Sequence, residues 1–387
     1  MPRGRSRFLN AAFHVLFFLS GIATVLIGQV LPILARRFAL DDLHLGYFFQ
    51  AQFAGSLAGT FSNGWFGRRG RLADAGWIGG MLMGAGILGM NAESYPIVLL
   101  AFLVNGFGIG MTLPAINLLI LEMNPKRSAS ALNVLNFCWG VGAIICKPFV
   151  DVTAGGTTIA LTTTIVSSGS ILFAAFVFLL KPKPAIGAAE STADINAVDI
   201  PIWTTFAAWA IAAFNLIHVG FESGMGGWLT TYAARLEGSE HIGIFSPTFL
   251  FFLCFVIGRA VAPLFFLFLN ENKMLLASLA VTLIGMIITI VAKDVLTLSV
   301  GSAVAGLGTS SIFPTNVSRF YRIFGSAAMK RATPLFLAGT LGAAVVTYSI
   351  GFVSSRYSNL RSGMFVLFFS VVVLIIIQSV LAIKSRS

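Results

Sequence analysis

Apolar runs of roughly 20 residues recur from one end of this chain to the other, each long enough to cross a bilayer as a helix. Twelve such runs lie near residues 9–35, 43–66, 72–92, 95–122, 128–150, 157–180, 202–234, 244–268, 273–292, 295–318, 333–354 and 363–383. Lipid offers the backbone no hydrogen-bond partners, so runs of this kind settle as helices. A membrane barrel would need short alternating strands, and these runs are continuous. The expected fold is all-α: a polytopic membrane protein with twelve transmembrane helices. The first run follows Arg3, Arg5 and Arg7, as a signal peptide would, but it continues to Ala35 without a small-residue cleavage site. It therefore reads as an uncleaved first helix.

Charge sets the orientation. Only 10% of the 387 residues are charged and 57% are hydrophobic, with a mean hydropathy of +0.90. The net charge of +11 would suit nucleic acid, but the basic residues fall in short loops between runs, as the cytoplasmic loops of membrane proteins require. If the N-terminus is cytoplasmic, seventeen of the 25 lysines and arginines lie on that side, seven lie on the other, and Arg259 is inside a run. This bias places both termini in the cytoplasm and the protein in a plasma (inner) membrane, in contact with lipid and not with nucleic acid. Cys138, Cys146 and Cys254 all fall within runs and read as small buried apolar residues, not as a disulfide or a metal set.

The longest polar stretch is 181–199, KPKPAIGAAESTADINAVD. Its prolines, small residues and mixed charge mark a cytoplasmic linker between one six-helix bundle over 1–180 and another over 200–387. The halves echo each other. Gly106, Gly108 and Pro114 return 200 residues later as Gly306, Gly308 and Pro314, and Gly142 returns as Gly342. The first helix ends LPILARRF (Leu31 to Phe38) and the seventh ends LTTYAARL (Leu229 to Leu236). Two pseudo-symmetric bundles of this kind are the parallel repeat of one large transporter fold.

Six plus six helices around a cytoplasmic linker resemble the major facilitator superfamily. The loop after the second helix, Gly67-Arg68-Arg69-Gly70-Arg71, is similar to the end of that superfamily's G-x-x-x-D-R-x-G-R-R signature. It departs from the signature at the acidic position, which falls at Asn63 or Gly64. Two stretches resemble the fucose-permease-like branch of sugar transporters: TLPAINLLILEMNPKRSASALNVLNFCWGVGA and GFESGMGGWLTTYAARL. That branch places proton-linked carboxylates in helices 1 and 4. Helix 1 here has no acid, and the helix 4 position falls near Leu113 or Pro114, so those roles do not carry over. The resemblance implies two bundles rocking around a central cavity, with Arg68 and Arg69 at the gate. Plain membrane anchoring explains those arginines equally well.

Few charged groups lie inside the runs, and ionisable groups in lipid default to functional hypotheses. Asn215, His218 and Glu222 are spaced i, i+3, i+7 on one helix face. Gly224, Gly226 and Gly227 follow at once, where the helix is expected to bend or unwind as a gate. Arg259 needs an anion or a carbonyl. If it pairs with Glu222, that carboxylate is a poor proton carrier; if it does not, Glu222 is the coupling residue. Asn133, Asn136 and Gly140 share a stripe near Trp139, with Asn117 on the preceding helix. Amides for hydroxyls and an indole for a ring face suit a sugar, although interhelical amide glue is the plain alternative. Gln29, Gln50, Gln52, Asn105 and Asn316 are candidates of the same kind. Trp228 reads as an outer-interface anchor or a cavity wall. Lys147 and Asp151, spaced i, i+4, are expected to reach out to the interface. Glu122, with Lys126 and Arg127, is expected to steady the inner gate.

The sequence contains no P-loop, dinucleotide fingerprint or metal-ligand cluster. The chain therefore reads as a monomeric secondary transporter of a small polar solute, a neutral sugar first, with protons as a possible co-substrate and no catalytic residues, metal or cofactor. Export of drugs or other amphipathic compounds is the rival, kept open by 36 phenylalanines. A non-transporting membrane sensor is a distant third, since it would usually carry a soluble domain or long tails.

Overall fold

The computed structural model describes residues 3–124, 128–155, 158–180, 202–239 and 245–384. The 181–199 linker lies outside them. Helices carry almost all of the described chain: α1 (Arg3–Phe38), α2 (Asp42–Arg68), α3 (Leu72–Gly89), α4 (Tyr95–Met123), α5 (Ser128–Thr153), α6 (Ala160–Leu180), α7 (Phe206–Ala233), α8 (Pro247–Phe265), α9 (Glu271–Val291), α10 (Val295–Thr309), α11 (Ile312–Arg331), α12 (Thr333–Tyr357) and α13 (Leu360–Lys384). Among the described residues, eleven stretches are long and apolar enough to cross a membrane, and one of them, Val295–Phe324, runs through α10 into α11. Of the expected spans, α2 falls below that apolarity. It is 27 residues long but carries Gln50, Gln52, Ser62 and Asn63.

Capping explains several helix starts. The Ser246 hydroxyl accepts from the Phe249 N–H ahead of α8, Asn270 accepts from the Lys273 N–H at α9, and Asp294 accepts from the Thr297 N–H at α10. Each satisfies a donor that the first turn leaves open.

The chain divides into two compact units, Met1–Leu40 with Tyr47–Ala193, and Asp41–Gly46 with Asp194–Ser387. Within each unit the repeated glycines make the same contact. A Cβ on Gly106 would lie 1.9 Å from the Gln52 carbonyl oxygen, and one on Gly306 would lie 2.2 Å from that of Phe251. Gly142 and Gly342 repeat the pattern, at 2.1 Å from the Phe18 oxygen and 1.8 Å from the Leu216 oxygen. No side chain fits in such places, so helix backbones touch there.

The repeated prolines behave differently. In the first unit α4 runs unbroken through Pro114. In the second the helix stops at Thr309 and restarts at Ile312, which leaves Pro314 in the first turn of α11, where proline is tolerated. Proline has no N–H for the carbonyl four residues back, so Gly110 and Ser310 each have an orphaned oxygen. The Thr60 hydroxyl from α2, bonded to the Ser56 carbonyl at 2.9 Å, also reaches the first at 3.4 Å, and the Arg259 Nε–H from α8 donates to the second at 3.2 Å.

Several expectations need correction. The α7 helix runs unbroken through Gly224–Gly227. Cβ atoms on Gly224 and Gly226 would lie 2.6 Å from Leu367 and 2.9 Å from Phe252, so these glycines admit neighbouring side chains instead of unwinding the helix. The break falls at Ser310–Ser311. Lys147 does not reach out: it is buried and paired with Asp151. Arg319, one of the seventeen cations that the charge bias assigns to the cytoplasmic side, is buried within α11. Its Nη2 donates to Asn272 Oδ1 at 3.1 Å and to Gln378 Oε1 at 2.9 Å.

Candidate functional site

The polar groups of the second unit gather where α10 gives way to α11. His218 and Glu222 project from α7 one turn apart. The His218 Nε2 lies 2.9 Å from the Thr309 hydroxyl at the last residue of α10, and its Nδ1 is buried without a partner among the described residues. The Glu222 Oε1 lies 3.9 Å from Arg259 Nη2, with the two side chains 19% and 36% exposed. That distance gives attraction without a hydrogen bond. The Arg259 guanidinium stacks over the Phe255 ring, 4.0 Å from its centroid, which fixes the plane of the group. Ser311 is held by Ser278, hydroxyl to hydroxyl at 2.8 Å.

A cavity of about 350 Å³ opens beside these groups. Arg259, Ala262, Pro263 and Phe266 line one wall, Ser311, Pro314, Thr315 and Ser318 line another, and Glu271 joins them. The Glu271 carboxylate already accepts from Arg322 Nη2 at 2.7 Å and Nε at 3.1 Å. Arg259 is the cation in this cavity wall without a hydrogen-bonded carboxylate.

Other expected site residues lie apart from this centre or have ordinary packing roles. Asn215 is buried, donates to the Leu335 carbonyl of α12 at 2.9 Å and ties the two helices together. Trp228 is neither an interface anchor nor a cavity wall: it is fully buried, and its indole N–H donates to the Thr347 carbonyl at 3.0 Å. In the first unit Asn117 and Asn136 each donate at 2.9 Å to the carbonyl four residues back, of Leu113 and Leu132. Trp139 and Gln50 are half-buried, and the side chain of Asn133 lies outside the described residues. Gln52 and Asn105 bond each other at 2.9 Å in the core, which is interhelical glue. Arg68 and Arg69 are exposed, with Arg69 3.7 Å over the Trp65 ring. Glu122 is exposed too, and its expected partners Lys126 and Arg127 lie outside the described residues.

Sequence reasoning passed over a second ionic cluster. Asp42, at the start of α2 and inside the second unit, accepts from both Nη groups of Arg235 at 2.8 and 2.5 Å and from the Ser354 hydroxyl. Beside it, burial pushes the Asp41 carboxyl up, but bonds from the His44 backbone and ring and from Ser355 outweigh burial and hold it below the usual range. Asp42 and Arg235 are 193 residues apart in sequence, so no local spacing signals the pair.

The sequence pattern of the Major Facilitator Superfamily matches residues 13–315, and the chain belongs to that family, one of transporters rather than enzymes. It is an integral membrane protein. It is 22% identical over 285 residues to the sodium-dependent glucose transporter 1 of Xenopus laevis, a match covering 66% of this chain and 57% of that one. It is 30% identical over 128 residues to the 4-hydroxybenzoate transporter PcaK of Pseudomonas putida, covering 32% of this chain and 28% of that one. Both matches span well under two thirds of the relatives' lengths. In structure it is similar to FucP in the outward conformation, with TM-score 0.62, 19% identity and coverage of 96% of this chain and 97% of that one, a likeness of fold.

Proposed function

We propose that this chain is a secondary active transporter that moves a small polar solute by alternating access, with Glu222 as its proton-linked carboxylate. One observation carries the reading: in a helical membrane chain of this family, a half-buried acid and an arginine face each other across 3.9 Å beside a helix break and a cavity. Intramembrane charge at a discontinuous helix is how such proteins bind and couple. A neutral sugar is the first solute to test. The sequence spacing of Asn133, Asn136 and Trp139 and the likeness to a glucose transporter support it. Amphipathic compounds are the second, because Ala262, Pro263, Phe266 and Pro314 give the cavity an apolar wall. The protein works as a monomer in the plasma (inner) membrane with both termini and the 181–199 linker cytoplasmic, a placement supported by the loop arginines and lysines.

The test is uptake of labelled solutes into proteoliposomes with and without an inward proton gradient. Glu222→Gln should retain exchange and lose gradient-driven accumulation. Undiminished accumulation by that variant would remove Glu222 from the coupling step.

A further inference from the structure

The duplicated halves let the role of Arg259 be separated into two parts. In each half a proline, Pro114 or Pro314, orphans the carbonyl four residues before it. Each half supplies one donor from the neighbouring helix. In the first it is the Thr60 hydroxyl, shared with the Ser56 carbonyl of its own helix, and in the second it is Arg259 Nε. Gly59 and Gly258, one residue earlier, both sit where a Cβ would collide with the paired helix, 2.1 Å from Phe107 O and 2.3 Å from Ser310 Oγ, so Thr60 and Arg259 are structural equivalents. The packing task thus needs a single hydroxyl. An arginine brings a cation and two further nitrogens that the task does not use.

Those nitrogens have no hydrogen-bond partner among the described residues. Glu222 stands 3.9 Å from Nη2, and the acid that lines the cavity, Glu271, is bound to Arg322. Stacking on Phe255 and the Nε bond hold the guanidinium plane, and the side chain lines the cavity. A fixed planar fork with open donors matches the two oxygens of a carboxylate. Around it stand the Ser318 hydroxyl, which makes no hydrogen bond among the described residues, and the apolar surfaces of Pro263, Phe266 and Pro314. A phosphate, with more oxygens and a second charge, would need more donors than one fork and a hydroxyl.

We propose that the Arg259 fork is a carboxylate-binding site and that the transported solute is a small organic monocarboxylate, its carboxylate on Arg259 Nη1 and Nη2 and its body along the Pro263–Phe266 wall. This rests on the transport reading and changes its leading solute, from a neutral sugar to an acid. A sugar acid and an aromatic acid share the required chemistry, and the test separates them.

Purified full-length protein is titrated at millimolar concentration with benzoate, 4-hydroxybenzoate and glucuronate, against benzamide and glucose as neutral counterparts, and the melting temperature is read. At least one carboxylate should raise it and its neutral counterpart should not. A shift with benzoates alone assigns an aromatic acid, and one with glucuronate alone assigns a sugar acid. Arg259→Gln keeps an N–H for Ser310 and removes the fork, and it should weaken carboxylate binding by about 30-fold or more. Equal shifts with benzamide or glucose, shifts with none of the acids, or undiminished carboxylate binding by Arg259→Gln would each overturn the proposal. The comparison on the unaltered protein decides the matter even if the variant does not fold. Carboxylate binding without uptake into liposomes would leave the site standing and refute the transport reading.

Discussion

Glu222→Gln should tighten binding of a carboxylate at Arg259 and make it independent of pH. The unit charges stand 3.9 Å apart, which at an effective dielectric of about 20 corresponds to roughly 4 kcal/mol of attraction. The side chains are 36% and 19% exposed, and screening reduces the usable part to about half, or ~2 kcal/mol. A solute carboxylate on the same guanidinium competes with that attraction and also meets the negative charge of Glu222. Neutralising Glu222 removes both effects, so affinity should rise by about 30-fold. The same logic fixes the sign of the pH effect. A proton on Glu222 relieves the repulsion, so the unaltered protein binds the anion more tightly as pH falls, whereas Glu222→Gln binds it tightly throughout. The other titratable groups facing this spot are His218, from α7, and Glu271, from α9, which is bound to Arg322 of α11; α8 contributes Arg259, and α10 contributes the Thr309 hydroxyl. His218→Gln is therefore the control and should keep the pH dependence. Calorimetric titration of benzoate and glucuronate across the pH range reads all three proteins. Weaker anion binding by Glu222→Gln would refute the electrostatic reasoning, since it would make the carboxylate a support for the solute and not a competitor.

Other substitutions probe the scaffold. Gly342→Ala puts a methyl group 1.8 Å from the Leu216 carbonyl and should cost about 1–3 kcal/mol of stability in a denaturant titration, whereas Gly64→Ala, with nothing within 4 Å, should be neutral or gain up to about 1 kcal/mol. Trp228→Phe removes the bond to Thr347 and part of a fully buried ring, for an expected loss of roughly 1–3 kcal/mol in the same titration. The Thr297 backbone N–H and hydroxyl hold the Asp294 carboxyl below its ordinary value of 3.8. Its contribution is thus present above that value and lost as pH falls through the lower folded one. Asp294→Ala should lower the melting temperature at neutral pH, and the difference should vanish in strong acid.

The sequence made the architecture legible because lipid leaves few choices. Runs long enough to span had to be helices, and loop arginines needed no partner to be counted. Repeated glycines were legible as well, since helices packed so closely that an added Cβ would lie about 2 Å from a neighbouring carbonyl oxygen, as at Gly106 and Gly306, tolerate no other residue there. Site chemistry was harder to read because it depends on partners distant in sequence. Helical spacing put His218 and Glu222 on one face, but it could not show that the gap to Arg259 is wider than a hydrogen bond. A glycine cluster in α7 looked like a hinge, yet the hinge-like break is at Ser310–Ser311, where neither residue is a glycine or proline. Only the carbonyl orphaned by Pro314, seen together with Arg259 in space, exposes it.

Pro114 and Pro314 impose the same backbone defect on both halves, and the answers differ. The first half closes the defect with Thr60, keeps α4 continuous and adds no charge there. The second half closes it with Arg259, interrupts the helix and thereby sets a cation, a histidine, an acid and a cavity around one broken turn. A defect that one hydroxyl can satisfy does not require an arginine, and a guanidinium half-buried in a membrane helix is costly unless its remaining donors have a use. Divergence of this pair is therefore the point at which two copies of one packing unit acquired different roles: the first as scaffold, the second as the place where an anion is met.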